Sequence, residues 1–470
     1  MRCFFILLGC LIAHVVPCSS SPDTLVQRIQ LSDECLHIGI MSDAQFPEND
    51  EQLSPGHLGV VMNGPKHVLR ALSYFKQQDV DLIIMNGDMV NAAAGGNAYR
   101  TYNLLLDHVF GKERENMPPL IYPMGNHEFY GANAEDLFLN QVKLPLNVHY
   151  VLNGYHFIGV SCSDSQGGYA SDRLEYLKKH LEIADRESEG KPIVVISHMP
   201  FHVDEFWGGQ WDSPQSDAMY RILSAYPQVI YLSGHSHYPL FDDKSFLQRD
   251  FTMVNTGSTS YFDLDWNLAA DGKTLDEEQP NEYLNPHLLG ICQQADINGR
   301  DDVNQGWMMT IDTKKDCVVL QRMDYNLQRP FGKPIILSDL VNKKFDYTLN
   351  QLRESAAIPA FRRKTSLEVL LTEKNGADIC FDAADHTSVV KQYEMEIEDP
   401  DHQIQRIRFL AKGYYMGWDF PYKEHIHYRG CHKNGKYSLR IRAINCWGEK
   451  SKWLKTSFLV EPAIVQCREQ

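Results

Sequence analysis

The chain has 470 residues, 43% of them hydrophobic and 23% charged, an ordinary globular composition with ample material for a core. That length suggests two or three domains. The net charge of −16 at pH 7 speaks against non-specific binding to DNA, RNA or anionic membrane, which needs basic surface. A small anionic substrate stays open, because bound cations would supply the positive charge the chain lacks.

The N-terminus reads as a signal peptide over residues 1–20. Arg2 gives a positive start, an apolar run extends from Cys3 to about Val16, and the small residues Ser19, Ser20 and Ser21 follow. The run is shorter than the ~20 residues that span a bilayer, and no later stretch is long and apolar enough. The expected mature chain is secreted, with no membrane span. Of 11 cysteines, Cys3, Cys10 and Cys18 leave with the signal. Cys35, Cys162, Cys292, Cys317, Cys380, Cys431, Cys446 and Cys467 remain, and an even count in an exported chain suggests disulfide bonds; four fall in each half, which leaves room for two bridges per half, and the pairing is not readable from sequence. No Asn-x-Ser/Thr sequon occurs.

From about residue 35 to 260, short apolar runs alternate with amphipathic stretches. His37–Ser42, Asp81–Asn86, Leu120–Met124, Lys191–Ser197 and Val229–Ser233 read as buried strands that end abruptly in polar residues. Lys66–Phe75, Tyr99–Phe110, Ser171–Ala184 and Ser216–Ser224 read as helices between them. This alternation predicts an α/β core, and in open sheets of this kind ligands bind beyond the carboxyl ends of the strands. Residues 261–310 are expected to form long loops. Trp307–Asp312 and Asp316–Tyr325 form a hairpin that closes the domain, and residues 346–362 read as a linker.

Residues 363–470 change character. Ser366–Leu371, Val389–Glu398, Ile404–Leu410, Lys436–Ile444 and Ser457–Val460 read as strands with no long helix. Tyr437, Leu439, Ile441 and Ala443 alternate strictly and share one face, as do Tyr393, Met395 and Ile397. With Asn445 and Gly448 following, the first set resembles the penultimate strand of a fibronectin type III domain. An all-β sandwich is expected.

Five blocks carry chemistry: Asp43-Ala44-Gln45, Asn86-Gly87-Asp88, Gly125-Asn126-His127-Glu128, Ser197-His198 and Gly234-His235-Ser236-His237. Two divalent ions ~3.5–4 Å apart need a bridging carboxylate and several N or O ligands. Such ligands come from different strand ends, because no single turn surrounds two ions. Aspartate carries charge and bridges, histidine offers imidazole nitrogen and asparagine a carbonyl oxygen. Gly87, Gly125 and Gly234 beside them permit tight turns. With one residue between them, His235 and His237 suit one ion each.

This ordered set resembles the calcineurin-like metallophosphoesterase superfamily over roughly residues 37–260. The resemblance implies a two-sheet α/β sandwich flanked by helices, spanning residues 21–345. It implies a hydrolase that attacks a phosphate ester with a metal-activated hydroxide at a dinuclear site of Mn, Mg, Fe or Zn. Asp43 and His237 would hold the first ion, and Asn126, His198 and His235 the second. Asp88 would bridge them, and His127 would act on the leaving-group oxygen. Where the family has a second histidine, this chain has Gln45, a poorer donor, so a weaker or more exchangeable first ion is expected. Purple acid phosphatases share most of these blocks, but their metal-binding tyrosine is replaced here by Asn91 and their extra domain precedes the catalytic one, so the chain is not assigned to them.

Asn91 and His202 follow metal-bearing strands and are candidate substrate contacts, as are Asn97 and Tyr130. The loop from Pro200 to Asp212, with Trp207 and Trp211, either lines a substrate pocket or covers the core. The expected partner is a small phosphate ester, with no nucleic acid; the protein partner of the C-terminal domain is not readable. Two other readings are a secreted binding or adhesion protein on an inactive phosphoesterase scaffold, to which Gln45 lends weight, and a nuclease, against which the acidic balance argues.

Overall fold

The computed structural model describes residues 26–48, 63–93, 95–203, 206, 213–262, 292–294, 303–372, 376–385, 389–416 and 422–461. The signal-peptide segment and most of 261–310 lie outside them. In chain order the strands of the first part are β1 (Val26–Ile29), β2 (Cys35–Met41), β3 (Leu82–Met85), β4 (Leu120–Ile121), β5 (Asn147–Leu152), β6 (Tyr155–Val160), β7 (Ile193–Ile196), β8 (Val229–Ser233), β9 (Phe246–Gln248), β10 (Thr252–Asn255), β11 (Cys292–Gln294), β12 (Gln305–Asp312), β13 (Cys317–Asp324) and β14 (Arg329–Leu337). They make one sheet in the order β1-β5-β6-β7-β8-β10-β9 and a second in the order β14-β13-β12-β2-β3-β4. The site-bearing strands run parallel: β2, β3 and β4 in one sheet, β6, β7 and β8 in the other.

The apolar runs are continuous because both faces of each central strand are covered. Val194 and Ile196 of β7 turn inward with Ile230, Leu232, Ile38, Ile40 and Ile84, filling the space between the sheets. Ile193 and Val195 turn outward onto the helix Ser171–Ser188, where Leu177 and Leu181 meet them. On the far side Ile83 and Met85 pack against Val68, Leu72 and Tyr99 of the helices Gly64–Gln77 and Asn97–Phe110. The result is the expected α/β class: two packed sheets flanked by helices, followed by an all-β part.

Three of the segments read from sequence fold differently from expectation. The strand expected over Leu120–Met124 stops at Ile121, since Pro123 has no N–H to donate and the Met124 N–H goes to Ser161 Oγ. Within the expected linker, Leu349–Ser355 is a helix started by a capping box between Thr348 and Gln351. Within the expected loops of 261–310, β11 is a strand that pairs with the C-terminal part.

That part contains β15 (Leu367–Thr372), β16 (Gly376–Asp382), β17 (Val390–Glu398), β18 (Ile404–Leu410), β19 (Lys423–Tyr428), β20 (Gly435–Asn445) and β21 (Leu454–Val460). Two antiparallel sheets, β11-β19-β16-β15 and β18-β17-β20-β21, face each other. Tyr437, Leu439, Ile441 and Ala443 meet Tyr393, Met395 and Ile397 in the buried core between them.

Among the described residues Cys35, Cys162, Cys317, Cys380, Cys431 and Cys446 are free thiols, so none of the expected disulfides joins two of them. Cys162 lies wholly buried among Ile158, Tyr169 and Leu177, where it packs as a small apolar residue. Cys446 Sγ donates to Asp243 Oδ2. Cys467 and the side chain of Cys292 lie outside the described residues.

A buried chain of three imidazoles ties the helix Ser171–Ser188 to β5 and β6. His149 Nδ1 is 2.8 Å from His180 Nδ1, and His149 Nε2 is 2.8 Å from His156 Nδ1. Burial, then the neighbouring imidazoles, push the His149 pKa down to about 2, and burial pushes His156 down to about 4. Both lie below the unfolded value, so the unfolded chain binds protons below about pH 6.5 while the native chain does not. Stability should therefore fall as pH drops from about 6.5 to 4, by a few kcal/mol. Thermal melts across that range should show the slope, and His149→Gln should flatten it. An unchanged slope in the variant would assign the proton uptake elsewhere.

Candidate metal centre

The parallel strands deliver their carboxyl ends to one edge of the sandwich, and the five blocks occupy those ends. The backbone there is unusual. Asp43, Gln45, Asp88, His235 and His237 have φ of 56°, 48°, 49°, 68° and 50°, left-handed values that non-glycine residues rarely adopt. Such conformations persist where surrounding bonds over-determine them. Here the Asp43 N–H donates to Gly87 O at 3.1 Å and the Gln45 N–H to Asp88 O at 2.9 Å. Ser260 Oγ and Ser258 Oγ both donate to Asp43 O, at 2.7 and 3.3 Å, and Thr259 Oγ1 donates to Ser42 O at 2.8 Å.

Asp88 lies at the middle. Its Oδ1 accepts from the His127 N–H at 2.9 Å, and its Oδ2 faces His198 Nε2 at 2.9 Å. Asp43 accepts the His235 N–H, and its Oδ1 is 3.2 Å from His237 Nε2 and 3.8 Å from His198 Nε2. The imidazoles are aimed by their other nitrogens. His198 Nδ1 bonds Asn86 O at 2.7 Å, His237 Nδ1 bonds Tyr261 O at 3.1 Å and His127 Nδ1 bonds Asn91 O at 3.0 Å. Each leaves Nε2 directed into the centre, the usual arrangement around a metal-binding histidine.

Glu128 is the clamp beneath these turns. Wholly buried, it accepts from the N–H groups of Asp88, Met89 and Gly125 at 2.7–2.9 Å and from Tyr122 Oη at 2.7 Å. Burial, then the Asp88 carboxylate, push its pKa up to about 7. Burial opposes charge on Asp88, but His198 and His127 outweigh it and hold the carboxyl below the usual range. Burial likewise opposes charge on His198, and Asp88 and Asp43 overcome it, lifting the pKa to about 10. Burial and then His198 push His235 down to about 3.

The glycines beside the ligands serve mainly through size. Of the three, only Gly87, at φ 76°, needs the left-handed region. A Cβ on Gly125 would lie 2.2 Å from Asp88 Oδ1 and 2.8 Å from Asp88 N, and one on Gly234 would lie 2.7 Å from Asp43 Oδ2. Gly125→Ala should therefore lower metal content and turnover together, by roughly tenfold or more, as displaced supporting groups do. Elemental analysis of the variant checks this; full metal content would show that the turn has room to give.

The donor set fits a divalent cation. Asp88 Oδ2, His198 Nε2 and Asn126 Oδ1 are buried with no hydrogen-bond partner, although the first two face each other at 2.9 Å. Ligand atoms of Asp88, His198 and His235 all lie within 4.8 Å of one another. Polar atoms left this way cost stability unless something satisfies them, and carboxylate, imidazole and amide oxygen together suit Mn, Fe or Zn. Gln45 is different. Its Nε2 lies 3.3 Å from both His127 Nε2 and His237 Nε2, so the amide sits between the two rings.

Of the substrate candidates, Asn91 reaches the centre through its backbone carbonyl on His127. His202 is exposed on the segment after β7. Tyr130 stands against His127, ring centroids 4.6 Å apart, and its Oη accepts from Asn126 Nδ2 at 3.4 Å. In the aromatic segment Phe201 and Phe206 are buried in the core, while Trp207 and Trp211 lie outside the described residues. Sequence reading assigned no role to Glu128 or to the hydroxyl-rich Thr256–Tyr261. A run of small polar residues straight after β10 was the available signal for the second.

Comparison with known proteins agrees with this geometry. Residues 36–239 match the family described as Calcineurin-like phosphoesterase. Among solved structures, the chain is similar to a dimetal phosphatase from Danio rerio at 12% identity and TM-score 0.38, over 64% of this chain and 98% of that one. It is also similar to a protein of Thermus thermophilus at 11% identity and TM-score 0.31, over 62% and 99%. Likenesses of that size carry no argument by themselves. No curated protein matches. The strand-end blocks and the family match together make residues 36–239 a calcineurin-like phosphoesterase domain, and the protein a hydrolase acting on phosphate ester bonds.

Proposed function

We propose that this is an exported phosphoesterase with a dinuclear centre, acting on a small phosphate ester. Asp43 and His237 would hold one divalent ion, and Asn126, His198 and His235 the other, with Asp88 between them. The observation that carries this reading is the convergence of Asp88, His198 and His235 from three strand ends on one point. Ions held there would polarise the phosphoryl group and acidify water. The chain's own part is to fix ligand directions and to manage the leaving group. His127, oriented by Asn91 O, presents Nε2 4.0 Å from Asp88 Oδ2, a position from which a proton on that nitrogen passes to the departing oxygen. Export is supported by the N-terminal apolar run; among the described residues no helix is long and apolar enough to cross a membrane. The strand order of the C-terminal sheets and the alternation of Tyr437 to Ala443 support a fibronectin type III-like sandwich.

The test is elemental analysis of the mature chain with hydrolysis of p-nitrophenyl phosphate and bis-p-nitrophenyl phosphate, with and without added Mn²⁺. About two ions per chain and metal-dependent turnover are expected for a dinuclear centre. Near-zero metal and no turnover with any ion would replace this reading with that of an inactive scaffold. The Gln45 amide favours one variation, a first site only partly occupied. Gln45→His should then raise metal content and turnover, and no rise in either would show that Gln45 does not limit the site.

A further inference from the structure

We propose that the C-terminal sandwich positions the His237 end of the metal centre, so that occupancy of one ion depends on a domain that supplies no ligand. The inference rests on the dinuclear reading above. His237 is gripped by two segments, and both are anchored in the sandwich. The first is Tyr261-Phe262. Tyr261 takes the His237 Nδ1 bond on its carbonyl and lays its ring 4.3 Å from the imidazole. The adjacent Phe262 is wholly buried in the sandwich core with Val303, Tyr393 and Tyr414. Between Phe262 and Val303 the chain contributes β11, which pairs with β19 through Cys292↔Tyr428 to Gln294↔Ile426.

The second segment follows His237 directly. Phe241 packs against the same sandwich core. Asp242 Oδ2 accepts from Tyr414 Oη at 2.8 Å, while its Oδ1 caps the short turn Asp243–Ser245 through the Lys244 N–H at 2.8 Å. Asp243 Oδ2 accepts from Trp447 Nε1 at 2.9 Å and from Cys446 Sγ at 3.4 Å. Asp242, Tyr414 and Cys446 are wholly buried. Directed hydrogen bonds to buried carboxylates fix a segment more tightly than apolar contact does, because a slip leaves a charge unpaired.

The other end of the centre is held differently. His198 is aimed by Asn86 O and Asp88 by the Glu128 clamp, both within the catalytic sheets. Loosening the sandwich contacts should therefore act on one ion and spare its neighbour.

The experiment uses the full mature chain with Tyr414→Phe and Trp447→Phe, singly. Each keeps an aromatic ring, Tyr414 in the buried core and Trp447 half-buried, and removes one donor to Asp242 or Asp243. Mn²⁺ titration by calorimetry reads the two ions separately, with melting temperature recorded alongside. At least a tenfold weakening of one ion is expected, with the other unchanged and turnover restored by excess Mn²⁺. Arg442→Lys, on the outer face of the sandwich, should leave both ions unchanged. Two ions bound by the variants as by the wild type, or both weakened equally, would overturn the proposal whatever the melting temperature does. A wild-type chain that binds fewer than two ions would instead fail the dinuclear reading itself, and this inference with it.

Discussion

Asp88→Ala should abolish metal binding and turnover together. Its side chain joins two parts of the centre: one oxygen fixes the His127 turn and the other faces His198 Nε2. Its backbone carbonyl also takes the Gln45 N–H, and its own N–H is held by Glu128. Removing the carboxylate leaves His198 facing a buried void and frees the Gly125–His127 turn at once. Turnover should drop by at least roughly 10³-fold, as with residues that act as a unit. Asp88→Asn separates the two roles, since it retains an oxygen for the His127 N–H and loses the charge. If both variants kept about two ions per chain, Asp88 would not be the shared ligand.

His127→Ala should do the opposite and separate metal content from rate. The ring touches the centre only through Nε2, which faces Gln45 Nε2 at 3.3 Å and Asp88 Oδ2 at 4.0 Å. The His127 backbone, which holds Asp88 Oδ1, survives the substitution. Metal content should stay near wild type while kcat falls by roughly 10²–10⁴, the range for a lost general acid. The loss should be smaller for p-nitrophenyl esters, whose leaving group departs without help, than for alkyl esters. Hydrolysis rates across a leaving-group series read this directly. Loss of the ions, or an equal loss for every leaving group, would remove His127 from the proton-transfer role.

Much of the catalytic half is legible in sequence because its strands are covered on both faces. Ile193–Ile196 is apolar throughout for that reason, and His198 follows where the cover ends. The same holds for Val229–Ser233 before His235. What was hidden depends on contacts between distant segments. Glu128 reads as one more acid after His127, because its partners at Asp88 and Met89 lie about 40 positions away. The sandwich strand β19 was obscured because it carries Glu424 at an inward position, where its Oε1 accepts the Lys412 N–H and the apolar alternation breaks. Its partner β16 alternates too, with Ala377, Ile379 and Phe381 inward, but over a shorter run than Tyr437 to Ala443 of β20. The cysteine count suggested bridges, yet Cys162 reports only packing.

The five left-handed residues at the strand ends have a thermodynamic consequence. Each such conformation costs on the order of 1–3 kcal/mol, and the fold must carry that cost whether or not an ion is present. An ion that binds only the folded chain returns free energy in proportion to the logarithm of its concentration over its dissociation constant. The resistance of this protein to unfolding is therefore a function of its surroundings as well as its sequence, and a chelator in the buffer should act on it as a denaturant does.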